Sequence, residues 1–495
     1  MQQNKLLPFL LSGRASETER STESAAEAAP PPARPAAAPR PSSIAGSYLD
    51  SMYAVPCDRL RGDELLRHRR ELTMTPLDTG FAGQPPPSFD AYECVGGYLR
   101  VPRFYGVAHW GMPNDVRLCE GEEMDVEFQG ALNALQTEAT DRVLSVLAAP
   151  PHGTIMVLPC GYGKTVCALY LAQRLRRRTL VLVHKGFLVS QWHERAAFFL
   201  PTATRGKIQQ NVVDADADIV VGMVQSISKR EYPARILSTF GTIIIDEAHH
   251  MAASVFSRAL RCLPGKNIIG LSATPDRKDN LTCLLHHSMG SIGYRVERQP
   301  EHTLVSCVLY EGGKRKEIMT RDGRISMPSM LNVLANDPQR NECIAEHMRR
   351  LFHANRCMIV LTDRICQLKA LLELLIARDV PSSDISFYIG TTPAAERERA
   401  SQRRVILSTY SMAKEGLDIP RLDTLILATP KGDIVQASGR VQRKHPDKGV
   451  PLLVDVVDTF SVFERLRWKR WNYYRREKFQ CQTFGIANAD AEWYA

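Results

Sequence analysis

The chain carries two sets of short apolar runs, each five to seven residues long and separated from the next by a helix-length segment. Continuous rather than alternating hydrophobicity is typical of strands covered on both faces, and strands that alternate with helices indicate parallel sheets. The pattern therefore predicts an α/β fold with two parallel-sheet lobes in tandem. The runs are 154–158, 179–184, 218–224, 242–246 and 268–274, then 357–363, 385–390, 404–410, 424–430 and 452–458.

The composition outside these runs marks further segments. Residues 23–43 are Ala/Pro-rich without apolar periodicity, so they predict a disordered N-terminal tail. Residues 311–324 indicate an exposed loop within a link between the lobes near 297–330. The predicted division is a tail at 1–45, an accessory region at 46–124, a first lobe at 125–297, a second lobe at 298–480 and a C-terminal tail at 481–495.

Composition and charge narrow the class of protein. Hydrophobic residues make up 44% and charged residues 24% of the 495, as in ordinary globular proteins. The net charge of +9 favours an anionic partner such as nucleic acid, although proteins without one share such a surplus. Twelve cysteines occur singly, without zinc-ligand spacing. Since no segment is long and apolar enough for a membrane helix, we expect a soluble, intracellular protein with no membrane partner.

The first run leads into the sequence LPCGYGKTVCALYLAQRL, which predicts a phosphate-binding loop before a helix. Gly161 and Gly163 allow the backbone to curl so that successive N–H groups face a phosphate at a helix N-terminus. In such a loop Lys164 reaches the β- and γ-phosphates, and the Thr165 hydroxyl ligates Mg²⁺. A glycine turn that binds no phosphate is the alternative.

The run 242–246 ends in charge, since Asp246 and Glu247 follow three isoleucines. Ligands of open α/β sheets bind at the carboxyl ends of the strands, although acids after a strand also favour the N-terminus of a following helix. Beside a phosphate loop in the same lobe, Asp246 suits the acid that holds Mg²⁺, and Glu247 suits the base that polarises the attacking water. The sequence therefore predicts a site for ATP and Mg²⁺.

Five segments resemble motifs I, II, III, V and VI of superfamily 2 helicases, in the family's order. The loop has Leu158 where the general phosphate-loop pattern has a glycine, and the helicase form P-x-x-G-x-G-K-T accounts for that departure. The resemblance covers about residues 125–480 and implies two RecA-like lobes with the nucleotide between them. The five segments are LPCGYGKT, DEAHH, LSATPDRKD, STYSMAKEGLDIP and QASGRVQRK.

The resemblance also implies roles for residues of the second lobe. Gln436, Arg440 and Arg443 match the Q-x-x-G-R-x-x-R of motif VI, whose arginines act on the γ-phosphate. Gly416 and Asp418 of motif V would lie between nucleotide and strand. A cation supplied by the second lobe makes hydrolysis depend on closure of the two lobes. The alternative for the motif VI segment is a solvated basic turn.

Further roles fall in the first lobe. Ser272, Thr274 and His249 are the candidates that link nucleotide state to the grip on nucleic acid. Tyr162 belongs to the phosphate loop, and Gln136 precedes it at the distance expected of a glutamine that reads adenine. An exposed helix glutamine is the alternative for Gln136.

Two segments are candidates for nucleic-acid contact. VHKGFLVSQWHERAAFF resembles motif Ia, in which His184, Lys185 and Gln191 would contact phosphates, whereas Trp192 is expected in the core. Residues 460–479 interleave aromatic and basic residues. They could stack bases, but we favour a terminal helix whose aromatic face packs on the second lobe.

The resemblance extends to one DEAH-type branch. VSQW, GLSATPDRKD and DTFSVFERLRWKRWNYYRREKF are similar to segments of the xeroderma pigmentosum group B repair helicase, of phage helicases, and of transcript-release helicases of poxviruses and related large DNA viruses, iridoviruses among them. Residues 98–106 resemble the region ahead of the motor in the viral members. The repair helicase has an R-E-D triplet where this chain has Arg277, Lys278 and Asp279, which weakens an inference of strand separation.

The expected function is therefore an ATP-hydrolysing superfamily 2 helicase or translocase acting on DNA, by unwinding, translocation or transcript release. An RNA helicase with the same motor is one alternative, and a nucleic-acid-binding subunit that does not hydrolyse ATP is another. Transcription or replication proteins are candidate partners. A viral protein of this kind would work in the host cytoplasm or nucleus and could enter the virion.

Overall fold

The computed structural model describes residues 43–77, 87–159, 161–247, 249, 253–273, 279–296, 302–310, 312, 316–390, 392–415, 419–443, 445 and 448–485. Most of the predicted N-terminal tail lies outside these residues. So do Thr274, Gly416 and Asp418, whose predicted roles stay predictions.

The first elements form a small N-terminal module around a five-stranded sheet of order β5-β6-β2-β1-β7. Its pairs are antiparallel except for β1 beside β7, and β3 and β4 form a separate antiparallel pair. The elements are β1 (Tyr48–Leu49), β2 (Met52–Pro56), α1 (Gly62–Leu72), β3 (Thr73–Met74), β4 (Phe89–Asp90), β5 (Glu93–Val95), β6 (Tyr98–Pro102), α2 (Arg103–Trp110) and β7 (Asp115–Val116).

The first lobe is built on an eight-stranded sheet of order β11-β10-β12-β9-β13-β14-β8-β15, parallel except for the β10–β11 pair. Its elements are α3 (Ala134–Leu147), β8 (Gly153–Val157), α4 (Lys164–Leu175), β9 (Thr179–Val183), α5 (Gly186–Phe199), β10 (Arg205–Gln209), β11 (Val212–Asp214), β12 (Ile219–Met223), α6 (Val224–Lys229), α7 (Ala234–Leu237), β13 (Thr242–Asp246), α8 (Ala253–Arg261), β14 (Asn267–Ser272), α9 (Thr282–Met289) and β15 (Ile292–Arg295).

The second lobe is a seven-stranded, fully parallel sheet of order β18-β19-β17-β20-β21-β16-β22. Its elements are β16 (Leu304–Tyr310), α10 (Met327–Ala335), α11 (Pro338–His353), β17 (Met358–Thr362), α12 (Ile365–Ile376), β18 (Ile385–Tyr388), α13 (Ala394–Ser401), β19 (Val405–Thr409), α14 (Tyr410–Glu415), β20 (Thr424–Leu427), α15 (Val435–Val441), β21 (Leu452–Asp458), α16 (Val462–Arg476) and β22 (Gln480–Gly485).

The module is bonded directly to the first lobe. The Arg103 side chain is buried and donates to the carbonyls of Gly265 and Lys266, at 2.9 Å each. Helix α2 packs on α9, and Leu49, Tyr53 and other apolar residues of the module share one buried cluster with the first lobe. Buried backbone carbonyls need donors, so Arg103 stabilises this junction by satisfying two of them.

The predicted fold class, an α/β protein with two parallel-sheet lobes, is confirmed. Each of the ten apolar runs contains a strand of the expected lobe. The link between the lobes differs from prediction, because β16 falls within it and pairs with β21 and β22 inside the second sheet. That sheet also extends to Gly485, beyond the lobe end predicted at 480.

Helix α16 contains most of the aromatic and basic segment. Phe463, Leu466, Tyr473 and Tyr474 are buried, as expected for a helix that packs on the second lobe, whereas Trp468 is 53% exposed. Within the described residues, no helix has the length and apolar character needed to cross a membrane.

Candidate active site

The loop before α4 has a backbone shape that suits an anion. Gly163 is the N-cap residue of α4 with φ +83° and ψ +32°, and Gly161 has φ +88°, both in the left-handed region that favours glycine. A Cβ on Gly163 would lie 2.4 Å from Gln136 Nε2, so a side chain at that position would force the Gln136 amide to move. Gly163 has no side chain to cap α4, and backbone N–H groups at a helix N-terminus are suitable donors to an anion.

Gln136 connects helix α3 to this loop. Asn133 and Gln136 form a reciprocal capping box, in which the Gln136 N–H donates to Asn133 Oδ1 at 2.9 Å. Gln136 Nε2 donates to the Tyr162 carbonyl at 3.2 Å. The structure thus places the predicted adenine-reading glutamine against the phosphate loop, where its side chain also braces the turn.

Asp246 occupies the carboxyl end of β13 and is only 8% exposed. The pKa of Asp246 is raised from the ordinary 3.8 to about 6, chiefly by burial and also by the neighbouring Glu247 carboxylate. Trp192 Nε1 donates a 2.9 Å hydrogen bond to Asp246 Oδ2. Trp192 is 2% exposed, as expected of a core residue, but sequence reasoning missed its contact with the acid.

Four side chains connect the loop to the end of β14. Lys164 Nζ donates to the Leu158 carbonyl at 3.2 Å and lies 3.5 Å from Glu247 Oε1. Glu247 Oε2 lies 3.4 Å from His249 Nδ1, which is 2.9 Å from Ser272 Oγ. Glu247 has φ +49°, an uncommon conformation for a residue with a side chain, which the surrounding contacts hold in place. The predicted base and two of the three predicted coupling residues thus form one network.

The second lobe contributes Arg443 to the loop. A Cβ built on Gly161 would lie 3.2 Å from Arg443 Cγ and 3.6 Å from its Nε, so the arginine side chain packs directly on the loop. Arg440 instead donates through Nε to the Ala413 carbonyl of α14, at 3.1 Å. Gln436 is the second residue of α15. Of the two predicted arginine fingers, Arg443 thus packs on the loop, and Arg440 makes a hydrogen bond within its own lobe.

The three candidates for nucleic-acid contact lie around the start of α5. Lys185 is the N-cap residue of that helix, Gln191 lies within it, and the His184 carbonyl accepts from Gln225 Nε2 at 3.0 Å. Gln225 also lines an adjacent open groove of about 420 Å³ that sequence reasoning missed. Basic and amide side chains dominate its walls, which comprise Gln210, Asn211, Gln225, Ser226, Lys229 and Arg230.

Known proteins resemble both the lobe that carries this site and the whole two-lobed chain. The family model described as "Type III restriction enzyme, res subunit" matches residues 129–277. A candidate ATP-dependent RNA helicase of Acanthamoeba polyphaga mimivirus is 31% identical over 415 residues, which cover 82% of this chain and 80% of that relative. The chain belongs to the superfamily 2 helicase family.

Solved structures share the RecA-like fold of this helicase. The ATP-dependent Type ISP restriction-modification enzyme LlaBIII, solved bound to DNA, matches with a TM-score of 0.51 at 17% identity, over 74% of this chain and 32% of that one. Dbp5 of S. cerevisiae, solved bound to RNA and ADP BeF3, matches with a TM-score of 0.50 at 13% identity, over 72% of this chain and 92% of that one. The fold therefore occurs in proteins solved with either nucleic acid.

The raised pKa of Asp246 predicts that this helicase is more stable without that charge. The folded-state pKa of about 6 exceeds the ordinary 3.8, so ionisation of Asp246 opposes folding above about pH 6 and has no such effect below about pH 4. Asp246→Asn keeps an acceptor for Trp192, and we expect it to raise the free energy of unfolding by roughly 1–3 kcal/mol at pH 8. Urea unfolding with EDTA and without nucleotide, between pH 4 and pH 8, measures the effect.

The matched control is Asp141→Asn, which removes an exposed carboxylate on α3 and should leave stability unchanged at every pH. A gain for Asp246→Asn that is equal at pH 4 and pH 8 would show that the carboxylate charge is not its cause.

Proposed function

We propose that this protein is an ATP-hydrolysing helicase or translocase that acts on DNA, with the nucleotide bound between its two lobes. The observation that carries the proposal is the convergence of Lys164, Glu247 and Arg443 on one phosphate loop. A subunit that only binds nucleic acid has no need of a positioned base and a second-lobe arginine. The convergence therefore favours hydrolysis over the non-hydrolysing alternative.

The residues of the loop and the strand end fit ATP with Mg²⁺. The glycine turn leads into the N-terminus of α4, where backbone N–H groups suit phosphates, and Thr165 brings a hydroxyl to the first turn of that helix. The buried Asp246 carboxylate, held by Trp192, is a suitable ligand for a hard cation. Bound Mg²⁺ neutralises charge on the phosphate oxygens and orients them.

The pair between Lys164 and Glu247 suggests how the base is controlled. The Lys164 ammonium lies 3.5 Å from the Glu247 carboxylate. A phosphate group competes for the same ammonium, and its binding would separate the pair. Glu247, still flanked by His249, would then be able to orient the attacking water.

This control predicts different defects for two variants. Lys164→Ala should abolish both tight ATP binding and hydrolysis, because it removes the cation that contacts phosphate. Glu247→Gln should hydrolyse ATP at least about 10²-fold more slowly while it keeps ATP affinity, because it removes only general-base action. Titration with a fluorescent ATP analogue and steady-state ATPase assays measure the two quantities.

Glu373→Gln, an exposed acid on α12, is the control for loss of a carboxylate and should match the parent protein. Hydrolysis by Glu247→Gln at the parental rate would refute the assignment of the base.

Substitutions of the two second-lobe arginines should lower ATP hydrolysis to different extents in the same assays. Arg443→Ala should lower ATP hydrolysis by about 10³-fold or more with nucleotide affinity nearly intact, because a finger arginine acts mainly in the transition state. Arg440→Ala should lower hydrolysis less, since Arg440 is bonded to Ala413 within its own lobe. Arg399→Ala, an exposed arginine of α13, is the control. Equal losses of affinity and rate in Arg443→Ala would instead make Arg443 a phosphate anchor.

The support for DNA comes from motif resemblance. The sequences VSQW and GLSATPDRKD resemble the DEAH-type branch that includes the xeroderma pigmentosum group B repair helicase and viral DNA helicases. The name of the mimivirus relative mentions RNA, which keeps an RNA helicase as the second candidate. A viral DNA helicase of this branch would act in the host cytoplasm or nucleus, with transcription or replication proteins as partners.

Stimulation of ATP hydrolysis should therefore be stronger with DNA than with RNA of equal length and sequence. Backbone contact dominates such binding, so stimulation at fixed nucleic-acid concentration should decline as salt rises. The measurement is the ATPase rate with single-stranded DNA, duplex DNA and single-stranded RNA across a salt series. Stronger stimulation by RNA throughout the series would favour the RNA helicase.

A further inference from the structure

A cluster of metal-ligating side chains lies in the N-terminal module, outside the nucleotide site. His68 and Glu71 are three residues apart on α1, so they share a face of that helix. His109 approaches from α2. One ligand atom from each of the three residues lies within 4.8 Å of the other two.

The distances within the cluster are close to those around a bound ion. Glu71 Oε2 lies 3.9 Å from His68 Nδ1 and 4.0 Å from His109 Nε2. Ligands at about 2.0–2.2 Å from a tetrahedral ion are a little more than 3 Å apart, so ligand atoms that lie within 4.8 Å of one another would need to close by up to about 1.5 Å to complete the site. The Tyr105 hydroxyl bridges two of the ligands, because it donates to Glu71 Oε2 and lies 2.7 Å from His68 Nδ1, which therefore carries a proton. Zinc binding through His68 Nδ1 would displace this hydroxyl and release that proton to solvent.

A backbone contact orients one of the imidazoles. His109 Nδ1 lies 2.8 Å from the Tyr105 carbonyl, which can only accept, so Nδ1 carries the proton. Neutral His109 then has its lone pair on Nε2, the atom that faces Glu71. A hydrogen bond from the other ring nitrogen to a carbonyl is the arrangement that orients metal-ligating histidines in proteins.

A third histidine from the first lobe borders the cluster. The ring centroid of His287, on α9, lies 5.0 Å from that of Tyr105. Among the described residues, His287 Nδ1 is a buried polar atom with no hydrogen-bond partner. A buried unsatisfied atom needs an explanation, and an ion with its water ligand at this place would supply one.

We propose that His68, Glu71 and His109 form a zinc site that joins α1 to α2 within the N-terminal module, beside the first lobe. Two imidazoles and one carboxylate suit Zn²⁺, whereas Mg²⁺ prefers oxygen ligands, so this ion differs from the one at the nucleotide. Glu71 and His109 have side chains 44% and 37% exposed, which gives solvent access and room for water as the fourth ligand. The ion would bind where α2 packs on α9, directly after the segment that carries the third helicase motif.

The test uses the full chain, purified without a histidine tag. In the double variant Glu71→Gln/His109→Asn, the introduced glutamine still offers an acceptor to the Tyr105 hydroxyl, and the introduced asparagine amide still offers a donor near the Tyr105 carbonyl. The double variant should therefore fold. His353→Asn, an exposed histidine of α11, is the control. Zinc content after dialysis against a zinc buffer, and visible absorption of Co²⁺-loaded protein, are the readouts.

We expect about one zinc per parent and control chain, tetrahedral Co²⁺ bands, and zinc affinity at least about tenfold lower in the double variant. Zinc should also raise the melting temperature of the parent and not that of the double variant. Equal zinc binding in both proteins would place the ion elsewhere and overturn the proposal. Absence of zinc from the parent would also overturn the proposal, and the cluster would then be a hydrogen-bonded network that includes Tyr105. Neither outcome bears on ATP hydrolysis, which does not use these residues.

Discussion

The burial of a carboxylate at the end of a central strand is the constraint on which the first lobe's site depends. Strand β13 lies between β9 and β14 and has three buried isoleucines before its last residue, so Asp246 is placed at the carboxyl edge with little solvent around it. An ionised group there is unfavourable unless an opposite charge approaches, as its raised pKa shows. The sheet thereby places the carboxylate of the proposed cation site at the expense of stability.

Trp192 connects the buried Asp246 carboxylate to α5, the helix proposed to contact nucleic acid. Its indole N–H holds Asp246 Oδ2 from α5, the helix that begins after Lys185. A displacement of α5 would therefore be felt at the carboxylate through one buried hydrogen bond. The network of Lys164, Glu247, His249 and Ser272 provides a second connection, from the loop to the end of β14. Both connections consist of short polar contacts inside a rigid sheet edge, which is how coupling between neighbouring sites can be transmitted.

The sequence predicted those parts of the fold and site that depend on local pattern. All ten apolar runs became strands because continuous hydrophobicity has one favourable location, the interior of a covered sheet. The glycines and Lys164 were predictable because loop chemistry demands those residue types at fixed spacing. Strand β16 was missed because a charged segment follows it, and Trp192 was assigned to the core because burial is the usual role of a tryptophan.

Contacts between distant residues could not be predicted, because no local pattern encodes them. Arg440 and Arg443 lie three positions apart, yet one packs on the phosphate loop of the other lobe and the second braces α14. The His68, Glu71 and His109 cluster illustrates the same limit. Zinc motifs are found in sequences by short ligand spacings, and here only the first pair has one, while the third ligand follows on another helix. A site assembled by tertiary packing becomes visible only when α1 and α2 are placed together. The module packs through α2 on α9, the helix that follows the third motif.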